Sequence, residues 1–205
     1  MGELFKTFEN IAKNSHSAKE WIAAEAEISK KTQPFISKEE RLAMLKERYG
    51  SGQARWNSKL RIVATSIEDI ERQVFDENSN VDILVALQAS GALQGVWPSV
   101  EINGKHFFDG GSFSMENPDV FVDADKMLVL STGLPVDVPY KLEDLLAQLE
   151  KKGTETSLVL PSEKTMNILK DFNYNMVEAK IRPFVAQAGR EQGQAEAALI
   201  KERWL

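Results

Sequence analysis

The spacing of hydrophobic positions changes several times along the chain, and each change marks an element. Leu4, Phe8 and Ile11, then Trp21, Ile22, Glu25 and Ile28, recur at intervals of three and four, which predicts one or two amphipathic helices ended by Pro34. Lys38 to Tyr49 predicts another helix, with Ser37 as N-cap, Glu40 completing a capping box and Gly50 as the stop. After the loop Gly50-Ser51-Gly52, the run Lys59 to Thr65 is short, β-branched and apolar enough for a strand, and Gln73 to Asp76 predicts its return. Val81 to Leu93 suits a buried helix closed by Gly95, with Pro98 just beyond.

The clearest local signal is Asn103-Gly104, flanked by Ser99 to Ile102 and Lys105 to Phe108. That dipeptide accepts the positive φ angles of a type I′ hairpin turn. The second strand runs directly into Asp109-Gly110-Gly111, so a carboxylate is placed at a strand end beside two glycines, where the backbone can turn sharply and be approached closely. Farther on, Lys126 to Leu130 and Thr156 to Leu160 are continuous apolar runs separated by the helical stretch Lys141 to Lys152, the pattern of a parallel crossover covered on both faces. Ser162 to Lys170 and Met176 to Trp204 predict two more helices, with Gly189 and Gly193 in the last expected to mark close packing against a neighbour. The fold class is α/β. No repeat or linker divides residues 1–205, which are expected to form one domain, mainly helical over 1–58 and α/β over 59–205.

Composition narrows the partners. A 42% apolar content supports one sizeable core, and a net charge of −6 with scattered Lys and Arg argues against nucleic acid, which needs a basic stripe. There is no cysteine, hence no disulfide framework or thiolate site, and His16 and His106 are the only imidazoles. No stretch approaches the ~20 apolar residues of a membrane helix, and Met1-Gly2-Glu3-Leu4 does not begin a secretory signal. The expectation is a cytoplasmic protein with at most peripheral membrane contact.

The ordered set Ala89 to Val100, Asn103-Gly104, Phe108, Asp109-Gly110-Gly111 and Asn117 resembles the second conserved block of the patatin-like phospholipase family, in a bacterial branch. Leu60 to Phe75 is similar to the preceding family segment, and Ala124-Asp125, the strand to Leu130 and Arg190 to Ala197 are similar to its tail. The resemblance covers most of the chain after about Lys38. It implies a three-layer fold with a mostly parallel sheet and a serine and aspartate dyad that hydrolyses lipid acyl esters through an acyl-serine, with Asp109 as base or orienting partner, Gly110 and Gly111 as the turn of the motif, and neither metal nor cofactor. The family's glycine-rich loop and Gly-x-Ser-x-Gly elbow are not in this sequence, as though the N-terminal strands were missing. Uncovered sheet would then favour a complementing chain or self-association.

Competing readings accompany each residue. Asp109 is either the family's catalytic aspartate or a turn residue capping the hairpin exit, and the chain is either the aspartate-bearing part of a hydrolase, inactive alone, or a non-catalytic lipid- or protein-binding remnant. Ser90 as a substitute nucleophile competes with a packing role inside a helix. Ser112 and Ser114 are expected to make turn hydrogen bonds, Trp97 to be core, and His106, three residues before Asp109 on a strand, to face away from it. Gly110-Gly111 lacks the pattern of a phosphate cradle. Gly91 and Gln94 depart from the family's turn and are expected to loosen it.

Overall fold

In a computed structural model, which describes residues 2–33, 36–50, 52–133, 138–139, 141–175 and 178–204, the opening segment is three helices, α1 (Gly2–Asn14), α2 (Ala18–Lys31) and α3 (Lys38–Tyr49). Ser17 divides the first two by accepting from the Glu20 amide, and Ser37 and Glu40 form both halves of the expected capping box. Pro34 lies outside the described residues.

Strand β1 (Ile62–Ser66) lies between β2 (Glu71–Phe75) and β4 (Lys105–Asp109), and β3 (Val100–Ile102) completes a sheet ordered β2-β1-β4-β3. All three of its pairings are antiparallel. β5 (Lys126–Leu130) and β6 (Glu155–Val159) form a separate parallel pair, with α5 (Leu142–Lys151) as the crossover. The chain is therefore α/β, but its strands are not mostly parallel. A parallel pair needs a crossover of a dozen or more residues, whereas β1 returns to β2 through a turn closed by the Ile70 amide on the Ser66 carbonyl, and β3 to β4 through Asn103-Gly104. Among the described residues only the connection from β5 to β6 makes a parallel pair, and there the parallel expectation holds.

Helix α4 (Ile83–Ser90) is shorter than its hydrophobic run. Asp82 caps it through the Leu84 and Val85 amides at 2.8 and 3.3 Å, and it ends when the Gly91 amide bonds back to Leu87. The expected stop, Gly95, instead turns the following loop at φ 77°. α6 (Glu163–Asp171) is capped by Ser162, and α7 (Arg182–Trp204) starts later than its pattern suggests because a 3-10 turn at Ala179–Ile181 precedes it. Met176 lies outside the described residues. Gly189 and Gly193 do not mark close packing, since a Cβ built on either meets nothing within 4 Å.

The antiparallel sheet is covered on both faces. Phe107 packs with Ile83, Ala86 and Ala89 of α4 and meets Phe75 edge-on at 5.4 Å. Phe108, fully buried, belongs to the cluster of Trp21, Ile22 and Ala26 from α2 and Ala12 from α1. Strand alternation separates these two neighbours, so β4 is the plane on which both helical layers meet. At ~25 cal/mol per Å² of apolar surface, burying a phenylalanine contributes on the order of 2 kcal/mol, which anchors the strand that ends in Asp109. Among the described residues no helix is long and apolar enough to cross a membrane.

Candidate functional site

Asn103 and Gly104 have φ angles of 52° and 78°, the two positive values a type I′ turn requires, and they return the chain as β4. Its last residue, Asp109, is held by the main chain. Its amide donates to the Ala92 carbonyl at 3.2 Å, and its carbonyl accepts from Thr65 Oγ1 at 2.9 Å. Asp109 Oδ1 accepts from the Gly111 amide at 2.8 Å and so caps a 3-10 turn over Gly110–Ser112. Position 110 must be glycine because a Cβ there would lie 2.2 Å from the Val63 carbonyl oxygen. The requirement is close approach to β1, not an unusual φ.

The loop beyond is tied back to the same turn. Asn117, in the left-handed region at φ 49°, donates through Nδ2 to the carbonyls of Gly110, at 3.0 Å, and Ser114. Arg72 donates to Asn117 Oδ1 at 3.1 Å, grips both oxygens of Asp119 at 2.7 and 2.8 Å, and lies over the Phe113 ring.

Asp109, Gly110 and Gly111 line a cavity of about 720 Å³ between the antiparallel sheet and the parallel pair. Ile62 and Val63 wall one side and Leu128 to Leu130 the other, with Ser90, Met115 and Phe121 also reaching it. Asp109 is thus partly exposed at the edge of a largely apolar concavity.

Three ionisable groups converge here from separate elements. Burial pushes the Asp109 carboxyl up to about 6, against the opposing pull of the Gly111 amide and the Arg41 charge. Glu25 of α2 is pushed up to about 8 by burial, opposed by its hydrogen bond to the Ser112 side chain and reinforced by the Asp109 charge. Burial also pulls Arg41 of α3 down to about 10, with the Asp109 charge opposing. Arg41 Nη2 donates to the Gly91 carbonyl at 2.6 Å, and its guanidinium lies 4.9 Å from the Trp97 ring centroid. Gln94, 1% exposed, donates to Ser112 Oγ, and Trp21 Nε1 donates to the Ser112 carbonyl at 3.1 Å. Glu25 Oε2, Arg41 Nη1 and Gln94 Oε1 are buried without a hydrogen-bond partner among the described residues. Each such group costs roughly 1–3 kcal/mol, so three of the chain's uncompensated polar atoms belong to residues gathered around the Asp109 turn.

The residues singled out from the sequence fall into place unequally. Asp109, Gly110 and Gly111 share the cavity wall. Ser90, the last residue of α4, is the one serine lining that cavity among the described residues, but no hydrogen bond joins it to Asp109 there. Ser112 and Ser114 are buried, the latter accepting from the Asn117 amide. His106 pairs with Glu68 at 2.8 Å on the solvent side. Gly91 and Gln94 do not loosen the turn. One supplies the carbonyl that holds Arg41, the other the amide that holds Ser112.

Glu25 and Arg41 are the site residues that the sequence reading misses. Glu25 had a signal, a carboxylate inside the apolar stripe of α2. Arg41 had none, because nothing local to α3 points to a contact fifty residues onward. A carboxylate near pKa 6 is a base on the order of a hundredfold stronger than an ordinary aspartate, yet it is still ionised at neutral pH. It can take a proton from a hydroxyl brought into the cavity. No family model and no curated protein matches the chain.

Proposed function

We propose that this chain carries the aspartate of a patatin-like lipid acyl hydrolase, with Asp109 as the base or orienting partner of a serine dyad. The observation that supports the reading best is the combination at Asp109, a carboxylate delivered by a hairpin and a close-approach glycine to the edge of a cavity, with its pKa pushed up to about 6. A serine hydroxyl seated there would lose its proton to Asp109 as it attacks an ester carbonyl. The ester C–O bond then breaks, the alcohol leaves with the proton held by Asp109 and the acyl group stays on the serine. Water, losing a proton to Asp109, hydrolyses that acyl-serine to the free acid and restores the hydroxyl. The dyad needs no metal or cofactor.

The sequence contains no Gly-x-Ser-x-Gly, so in this reading the nucleophile belongs to a complementing segment. The cavity between the two sheets is a fitting seat, because among the described residues β5 pairs on one side only and Leu128 to Leu130 line the cavity. A strand placed there would join the sheets into the three-layer patatin-like fold and end its turn near Asp109. The test mixes the chain with a polypeptide carrying the strand, the elbow and its helix, and follows p-nitrophenyl ester hydrolysis and fluorophosphonate labelling. Activity that appears only in the mixture and is lost in Asp109→Asn is expected; no gain over the separate components refutes complementation.

The missing nucleophile motif favours a second reading, a non-catalytic module that binds lipid or a protein partner. Fluorophosphonate labelling of the chain alone, lost in Asp109→Asn, would reject it and assign the nucleophile to a serine such as Ser90.

A further inference from the structure

Glu25 is a buried ionisable group that the hydrolysis steps leave unused. It is 4% exposed, it sits on the face of α2 that also buries Trp21, Ile22 and Ala26, and its Oε2 has no hydrogen-bond partner among the described residues. A leucine there would continue the apolar face without that cost, so the hydrophobic layer does not call for a carboxyl. What the carboxyl adds is a hydrogen bond to the Ser112 side chain.

Ser112 is where α2 reaches the Asp109 turn. Gln94 Nε2 donates to its hydroxyl oxygen, and Trp21 Nε1 donates to its carbonyl at 3.1 Å. A hydroxyl has one proton and the amide nitrogen of Gln94 can only donate, so the Ser112 proton goes to Glu25. Glu25 thereby fixes the direction of the hydroxyl and completes a chain from Gln94 through Ser112 into α2.

The turn is short enough to transmit that hold. Ser112 closes the 3-10 turn over Gly110–Ser112, and the amide of the residue before it, Gly111, donates to Asp109 Oδ1 at 2.8 Å. A Cβ on Gly111 would lie 3.0 Å from the same oxygen, so amide and carboxylate are in close register. The other end of the turn is held separately, by the approach of Gly110 to Val63 and by Asn117 on the Gly110 carbonyl. With both ends tied, three residues leave the Gly111 amide little freedom.

We propose that Glu25 is a positioning residue for Asp109, gripping the Ser112 end of the turn so that the Gly111 amide stays on the carboxylate. Its part in catalysis rests on the hydrolase reading, whereas its hold on the carboxylate does not. The charge of Glu25 is not the agent. With a pKa of about 8 it is neutral where Asp109 titrates, near 6, and the charged group acting on Asp109 in that range is Arg41 of α3, on a different element.

The experiment follows the Asp109 carboxyl by carbon-13 titration and the Gly111 amide by hydrogen exchange, in the full chain. Glu25→Leu fills the same apolar space without an acceptor for Ser112. It should raise the proton affinity of Asp109 about tenfold, the order expected when a carboxylate loses a hydrogen bond, and speed Gly111 exchange roughly tenfold. Glu25→Gln still offers an oxygen to Ser112 and should leave both readings at their parent values. Ser112→Ala cuts the same link from the other side, so it should reproduce the effect of Glu25→Leu, and combining the two should add nothing further. An Asp109 titration unchanged in a folded Glu25→Leu or Ser112→Ala protein overturns the proposal. So does full additivity of the two substitutions, which would mean that Glu25 acts by a route other than Ser112. In the complementation mixture, the pH of half-maximal ester hydrolysis should rise in Glu25→Leu and not in Glu25→Gln. A mixture that hydrolyses nothing, beside a raised Asp109 proton affinity in Glu25→Leu, supports the positioning role and counts only against the hydrolase reading.

Discussion

Replacing Glu25 with glutamine removes a carboxyl that the fold holds protonated with a pKa of about 8, against an ordinary value of 4.5. Between those two values the unfolded chain has released this proton and the folded chain has not, so the folded state binds more protons and stability falls as pH rises. Each pH unit removes about 1.4 kcal/mol, roughly 4 kcal/mol between pH 5 and pH 8. Asp109, raised to about 6 from 3.8, acts in the same sense at lower pH and is spent above its folded pKa. The interval from pH 6 to pH 8 therefore isolates Glu25, at ~3 kcal/mol, a large share of the 5–15 kcal/mol typical of a domain. Glutamine keeps the shape and remains neutral. Urea midpoints taken at half-unit steps should fall across this interval in the parent and stay nearly flat in Glu25→Gln, with the curves separating most at pH 8. Parallel curves would refute the assignment of a buried, protonated carboxyl at position 25.

Three further outcomes follow from the same geometry. Gly110→Ala should cost about 3 kcal/mol by guanidinium denaturation, because its Cβ meets the backbone of β1 at 2.2 Å, whereas Gly104→Ala, strained only by its φ of 78°, should cost ~1 kcal/mol. Arg41→Met removes a cation that favours the charged form of Asp109, so the Asp109 pKa, followed by carboxyl carbon-13 titration, should rise above its parent value; no rise means that the guanidinium does not act on this carboxylate. Phe108→Ala should destabilise by roughly 3–5 kcal/mol in thermal melts, because a fully buried ring between β4 and α2 leaves a cavity.

The parts legible in the sequence were those encoded locally. Asn103-Gly104 specified its turn, Ser37 and Glu40 their capping box, and two apolar runs around a helix the parallel pair β5 and β6. The mostly parallel sheet that the resemblance implies does not hold for the four-stranded sheet, because the orientation of β1 and β4 depends on where α4 docks, which neither strand records. The site shows the same division. Asp109 and its glycines could be read from their turn, while Arg41 reaches Gly91 across fifty residues of sequence and no local pattern foretells it. Glu25 lies between these cases, since a carboxylate in register with Trp21 and Ile22 was visible but reads as a flaw in a stripe until the layer beneath is known. Gly189 and Gly193 show the reverse error, where spacing suggested contact and the helix face is open.

Asp109 is located through the amide and carbonyl of its own residue, bound to the Ala92 carbonyl and the Thr65 hydroxyl. One of those partners is a main-chain atom that any amino acid at position 92 would supply. The side chains of Ala92 and Gln94 are themselves buried, so the segment that carries them is fixed by packing, whereas Arg41 acts on the acid from another element and makes neither of those two bonds. Substitution of Arg41 would retune the charge environment of the acid while leaving the two bonds that place it, so basicity and position can be altered separately in this scaffold.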